Sequence, residues 1–99
     1  MAGENRFEHH IIKKLRLAYP GAVIIKNYGN YLQGFPDRLI LYGPHWAAFE
    51  VKADYSSSHR PNQDFYIQKL NRMSYASFIY PQNELEVLHA IQQTLRPGR

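Results

Sequence analysis

Apolar residues recur at helical spacing near the start of the chain. Over residues 5–18, Phe7, Ile11, Ile12, Leu15 and Ala18 are separated by polar positions that include Lys13, Lys14 and Arg16. The spacing predicts an amphipathic helix with one stripe turned to a core. Tyr19-Pro20-Gly21 stops it. Residues 22–26 are a β-branched run and read as a strand. Residues 27–35 hold Gly29, Asn30 and Gly34 and read as a loop. Two more strand-like runs, 37–42 and 46–52, flank Gly43-Pro44-His45, which predicts a hairpin.

The second half of the chain alternates again. Pro61 opens a predicted helix over 61–73, with Phe65, Ile67, Leu70 and Met73 as its apolar stripe. Residues 76–80 read as a fourth strand. Asn83 followed by Glu86 resembles a capping box, and Leu85, Leu88, Ile91 and Leu95 continue as a closing helix. The order is αβββαβα, which argues an α/β or α+β sandwich in which helices cover a sheet. No repeat or linker interrupts it, so residues 1–99 read as a single domain. The least regular internal stretch is 54–60, which contains three consecutive serines.

Composition narrows the function classes. The absence of cysteine excludes a disulfide scaffold, a thiol nucleophile and cysteine metal sites. The longest apolar runs, such as Ala22-Val23-Ile24-Ile25, fall far short of the roughly 20 residues of a membrane span. The charged first ten residues give no signal-peptide pattern. An intracellular protein is expected: cytoplasmic in a bacterium or a phage-infected host, nuclear if eukaryotic. A formal net charge of +4 and a pI near 9.5 suit contact with an acidic polymer, nucleic acid above all. The same charge also serves simple solubility.

The hairpin carries the candidate chemistry. Folding the chain about Gly43-Pro44 sets Asp37 opposite Glu50, and opposed residues share a face. Strand alternation adds Lys52 to that face and turns Val51 away. Two facing carboxylates repel, and a divalent cation would offset this better than a lysine alone. Hard oxygen donors with room for water and phosphate describe a Mg²⁺ or Mn²⁺ site. With an adjacent ammonium, the implied reaction is phosphodiester hydrolysis. The competing reading is a surface hairpin with one solvated salt bridge, in which Glu50 pairs with Lys52 or Lys52 with Asp37.

These residues also resemble a known family. Pro36-Asp37, then twelve residues, then Glu50-Val51-Lys52 resembles the PD-(D/E)XK nuclease signature. Gly34-Phe35-Pro36-Asp37-Arg38-Leu39 with Phe49-Glu50-Val51-Lys52 is most similar to its VRR-NUC branch, the virus-type replication–repair nucleases, in stand-alone form. The resemblance runs from about Glu8 to Tyr80. It implies a restriction-endonuclease-like αβββαβ core, with a mixed central sheet flanked by helices and an extra C-terminal helix here. It implies that Asp37, Glu50 and the Val51 carbonyl hold the metal and that Lys52 acts on the nucleophilic water. It further implies a first-helix glutamate joining the site, for which Glu8 is the candidate and Glu4 the competitor. Gln63 would position water or phosphate. Each also has an ordinary reading, since acids and polar residues favour first turns of helices.

Lys26, Arg38, Arg60, Lys69 and Arg72 are candidate phosphate contacts, Arg60 foremost. Tyr28, Tyr31 and Tyr55 could stack on an unpaired base or pack at a subunit interface. The five histidines lack ligand spacing, and Ser56-Ser57-Ser58-His59 lacks a nucleophile elbow. The expectation is a metal-dependent, structure-specific DNA endonuclease resembling Holliday-junction resolvases and acting as a homodimer without membrane contact. The alternatives are a flap or nicking nuclease of the same fold, a non-catalytic DNA-binding module, or a toxin-like or structural protein with incidental charges.

Overall fold

The computed structural model describes residues 2–28 and 32–98. Tyr31, with Gly29 and Asn30, lies outside the described residues. Helix α1 (Ala2–Ala18) is followed by strands β1 (Val23–Lys26), β2 (Arg38–Tyr42) and β3 (His45–Val51). Helix α2 (Pro61–Met73), strand β4 (Tyr75–Ile79), a 3₁₀ turn at Pro81–Asn83 and helix α3 (Glu84–Leu95) complete the chain. This is the order that the periodicity predicts, and each strand boundary lies within a residue of its expected place.

The four strands form one mixed sheet in the order β1-β2-β3-β4. The first two pairings are antiparallel, and β3 pairs with β4 in parallel. A parallel neighbour needs a long crossover, and α2 supplies it. The β2–β3 turn has two residues, and Gly43 takes φ +61° there, as the first position of a tight hairpin requires. Arg38 pairs with Phe49 and Tyr42 with His45, so the register is the one that sets Asp37 against Glu50.

The sheet is covered on both faces. Ile40, Ala47, Phe49 and Val51 pack on Ile11, Ile12 and Leu15 of α1 and on Val87, Ile91 and Leu95 of α3. Ala48 and Ala76 turn the other way, towards Leu70, Tyr66 and Ile67 of α2. Alanines on that face let α2 approach the central strands closely. The C-terminal end is tied down by Arg96, which donates to the Ala18 carbonyl and the Tyr42 hydroxyl. Its guanidinium lies over the Tyr19 and Tyr42 rings.

Four local expectations are corrected. In the expected α2 stripe, Leu70 is buried and Ile67 packs partly buried beside it as predicted, but Phe65 and Met73 point to solvent and Tyr66 packs in their place. In α3, Leu85 is 78% exposed and Val87 takes the core position. Ala18 is exposed as well. Periodicity alone does not fix which of two adjacent apolar rows meets the sheet; the angle at which each helix docks does. Asn83 precedes α3 but its side chain caps nothing there. It accepts from the Tyr80 N–H and donates to the Phe78 carbonyl, closing the 3₁₀ turn behind it.

Candidate active site

The hairpin brings Asp37 and Glu50 together at one end of the sheet, on the α2 side. The backbone N–H of Asp37 donates to Glu50 Oε1 at 3.1 Å. The N–H of Val51 donates to Asp37 Oδ2 at 3.2 Å. Each carboxylate is therefore held by the backbone of the opposite strand. Glu50 is 6% exposed. Burial and the charge of Asp37 push its carboxyl up to about 8. Lys52 opposes that shift without cancelling it.

Lys52 and Gln63 complete the cluster. Lys52 Nζ donates to Gln63 Oε1 and to the Ser58 carbonyl, each at 3.1 Å. Gln63 Nε2 donates to Glu50 Oε2 at 3.3 Å. The same Gln63 oxygen accepts from the backbone N–H of Arg60, ahead of α2. One side chain thus satisfies an orphan donor at a helix start and bridges the acid to the amine. Gln63 is a first-turn residue of α2 and at the same time touches both Glu50 and Lys52.

A pocket of about 270 Å³ opens on these groups. Asp37, Glu50, Gln63 and Arg60 line it, with Gly34 and Tyr28 at its edge. Gly34 has φ +88°, and a Cβ there would lie 2.8 Å from the Asn62 backbone carbon. The loop therefore presses directly on the first turn of α2, which keeps Gln63 beside Glu50. Phe35 of the sequence motif also lines the pocket, as do Asn27 and Gln33, which were not singled out from the sequence. These two come from a stretch without periodicity, so no pattern in the sequence points to them.

Glu8 is not brought into this cluster. Its carboxylate accepts from Arg38 Nε at 2.7 Å and from Lys26 Nζ at 3.1 Å. Arg38 pairs across the sheet with Phe49, so it faces α1 while Asp37 faces α2. Burial raises the Glu8 carboxyl, but the Arg38 and Lys26 hydrogen bonds outweigh it and hold the group below its ordinary value. The first-helix acid therefore neutralises two cations on the opposite face of the sheet. Glu4 is in the first turn of α1. Among the described residues, no group of three or more His, Asp or Glu side chains could hold a metal ion. The available side-chain donor set is the two carboxylates of Asp37 and Glu50.

The candidate phosphate contacts separate in the same way. Arg60 is exposed at the pocket rim. Lys69 and Arg72 are exposed on α2, Lys69 lying 6.0 Å from the Phe65 ring. Lys26 and Arg38 are engaged by Glu8. Tyr28 is 78% exposed at the pocket, and Tyr55 is exposed near Tyr80. His59 stacks on Phe78 and contacts Asp64, away from any ligand grouping. No helix among the described residues is long and apolar enough to cross a membrane. Comparison with protein-family models, with curated proteins and with solved structures finds no match to this chain.

Proposed function

We propose that this chain is a Mg²⁺- or Mn²⁺-dependent endonuclease that hydrolyses phosphodiester bonds in DNA, with a restriction-endonuclease-like core of the VRR-NUC kind. The observation that carries the reading is the Asp37–Glu50 pair, with Glu50 buried, Asp37 half-buried at the pocket, both braced by opposed backbone N–H groups, and the Lys52 ammonium linked to Glu50 through Gln63. Such a pair suits a hard divalent cation, because the donors are anionic oxygens that otherwise repel. Asp37 and Glu50 would hold the ion, and the Val51 carbonyl is the third candidate ligand. When bound, it would lower the pKa of water and offset charge developing on the phosphoryl oxygens.

The chain's own groups do the rest. Lys52, fixed by Gln63 and the Ser58 carbonyl, presents positive charge beside the reacting phosphate and orients the attacking water. Gln63 holds Glu50 and Lys52 at a fixed separation. Arg60 at the rim contacts a neighbouring phosphate. We extend the proposal to branched DNA, such as a four-way junction, cut by a homodimer. Edge strand β1 supports the dimer, since Val23 and Ile25 are 54% and 44% exposed on it.

The experiment is incubation with labelled four-way, flap, nicked and linear DNA in Mg²⁺, Mn²⁺ or EDTA. Metal-dependent cuts concentrated near branch points are expected. Cuts confined to flap or nicked DNA would assign the sister activity. Binding without cutting of any substrate would reduce the chain to a DNA-binding module.

A further inference from the structure

A second charged surface lies on the face of the sheet away from the pocket. Arg6, His9, Lys13 and Arg16 fall within about 80° of one another around α1 and along about 15 Å of its length. All four are exposed. A groove of about 450 Å³ runs beside them, lined by His9, Ile12, Lys13, Arg16, Leu17 and Arg38. Among the described residues, no carboxylate pairs with Arg6, Lys13 or Arg16. Two of the acids nearby are committed elsewhere, Glu84 to Lys14 and His10 and Glu8 to Lys26 and Arg38, which leaves Glu4 in the first turn as the one other acid of α1.

We infer that this stripe of α1 is a phosphate-contact surface for nucleic acid. Like charges left unpaired along a helix repel one another, and an anionic polymer offsets that repulsion. Phosphates recur along a DNA strand about every 3.4 Å of axis, so the stripe spans several of them. An anionic membrane fits less well. The apolar face of α1 is spent on the core through Ile11, Ile12 and Leu15, leaving little to insert between lipids. Arg38 joins the two surfaces: it lines this groove and directly follows Asp37 in the chain. The inference rests on the DNA reading above and gives it a second contact, through residues other than those at the pocket.

The test is fluorescence anisotropy of a short labelled duplex in EDTA, with salt varied, for the wild type and for a triple variant Arg6→Gln, Lys13→Gln, Arg16→Gln. All three positions are exposed and glutamine is a good helix former, so folding is checked by circular dichroism. The plot of log affinity against log salt should become shallower by about two to three. The charge-preserving variant Arg6→Lys, Lys13→Arg, Arg16→Lys should keep the wild-type slope. The single variant Lys13→Gln should lose about one. An unchanged slope in the folded triple variant overturns the inference, as does a wild type that does not bind duplex. Loss of phosphatidylserine-vesicle binding with DNA binding intact overturns it too. Cleavage by wild type in Mg²⁺ is scored separately. A slope that falls in a protein that never cuts would keep this surface and remove the nuclease reading.

Discussion

Asp37 and Glu50 hold each other through the main chain: Asp37 N–H donates to the Glu50 carboxylate, and the N–H following Glu50 donates to the Asp37 carboxylate. Two acids are thus fixed side by side, Glu50 buried and Asp37 half-buried at the pocket. Backbone donors orient them without removing their mutual repulsion, so Glu50 stays protonated well above the usual carboxylate range unless a cation joins it.

This sets a pH dependence for the metal-free protein. The folded state binds the Glu50 proton more tightly than the unfolded chain does. Its contribution to stability is therefore fully present below the ordinary glutamate value and is lost as pH rises through about 8. The melting temperature of the wild type, relative to Glu50→Gln, should fall between pH 5 and pH 8 in EDTA. Mg²⁺ should restore more of it at pH 8 than at pH 5. A difference that stays flat with pH would contradict the assignment of strain to this pair.

Asp37→Asn and Lys52→Gln should each lower cleavage by at least about 10²-fold. Asp37→Asn should keep or improve duplex affinity because it removes negative charge near phosphate. Lys52→Gln should lose some affinity. Labelled-DNA cleavage and anisotropy check both, and melting curves show that folding survives. Full activity in either variant would exclude the proposed chemistry.

Glu8 is paired with Arg38 and Lys26. Its partners Arg38 and Lys26 are partly shielded, so Glu8→Ala leaves two poorly solvated cations facing each other. A loss of about 1–3 kcal/mol is expected by urea unfolding, below the fully buried case because Lys26 is partly solvated. The stabilising effect of Glu8 is present above the ordinary glutamate value and disappears as pH falls through its lowered folded value. A variant of unchanged stability that lost cleavage would instead return Glu8 to the catalytic cluster.

Gly34→Ala should disturb stability and activity together. The positive φ alone strains an alanine, and its Cβ would meet Asn62 in the first turn of α2. A loss of about 1–3 kcal/mol is expected, with cleavage reduced further because Gln63 moves with that turn. Wild-type melting and activity would show that the loop does not press on α2.

The docking of α3 can be read by a pair of substitutions. Ile91→Ala should cost about 2–5 kcal/mol, since Ile91 lies in the main core. Leu85→Ala should stay within about 0.5 kcal/mol. Equal losses at both sites would mean that α3 packs through the other row.

The sequence by itself determined the order of elements and, through strand alternation, the face shared by Glu50 and Lys52; the hairpin register was open to a one-residue slip until the two-residue turn, with Gly43 at positive φ, fixed it. That turn set Asp37 against Glu50. The tertiary structure decided what lies far apart in the chain. It set Gln63 against Glu50 and Lys52 by docking the first turn of α2 on the sheet. It gave Glu8 to Arg38 and Lys26, because α1 covers the opposite face. It also chose Val87 over Leu85 and Tyr66 over Phe65, since neighbouring apolar rows of a helix differ only in the angle at which the sheet receives them.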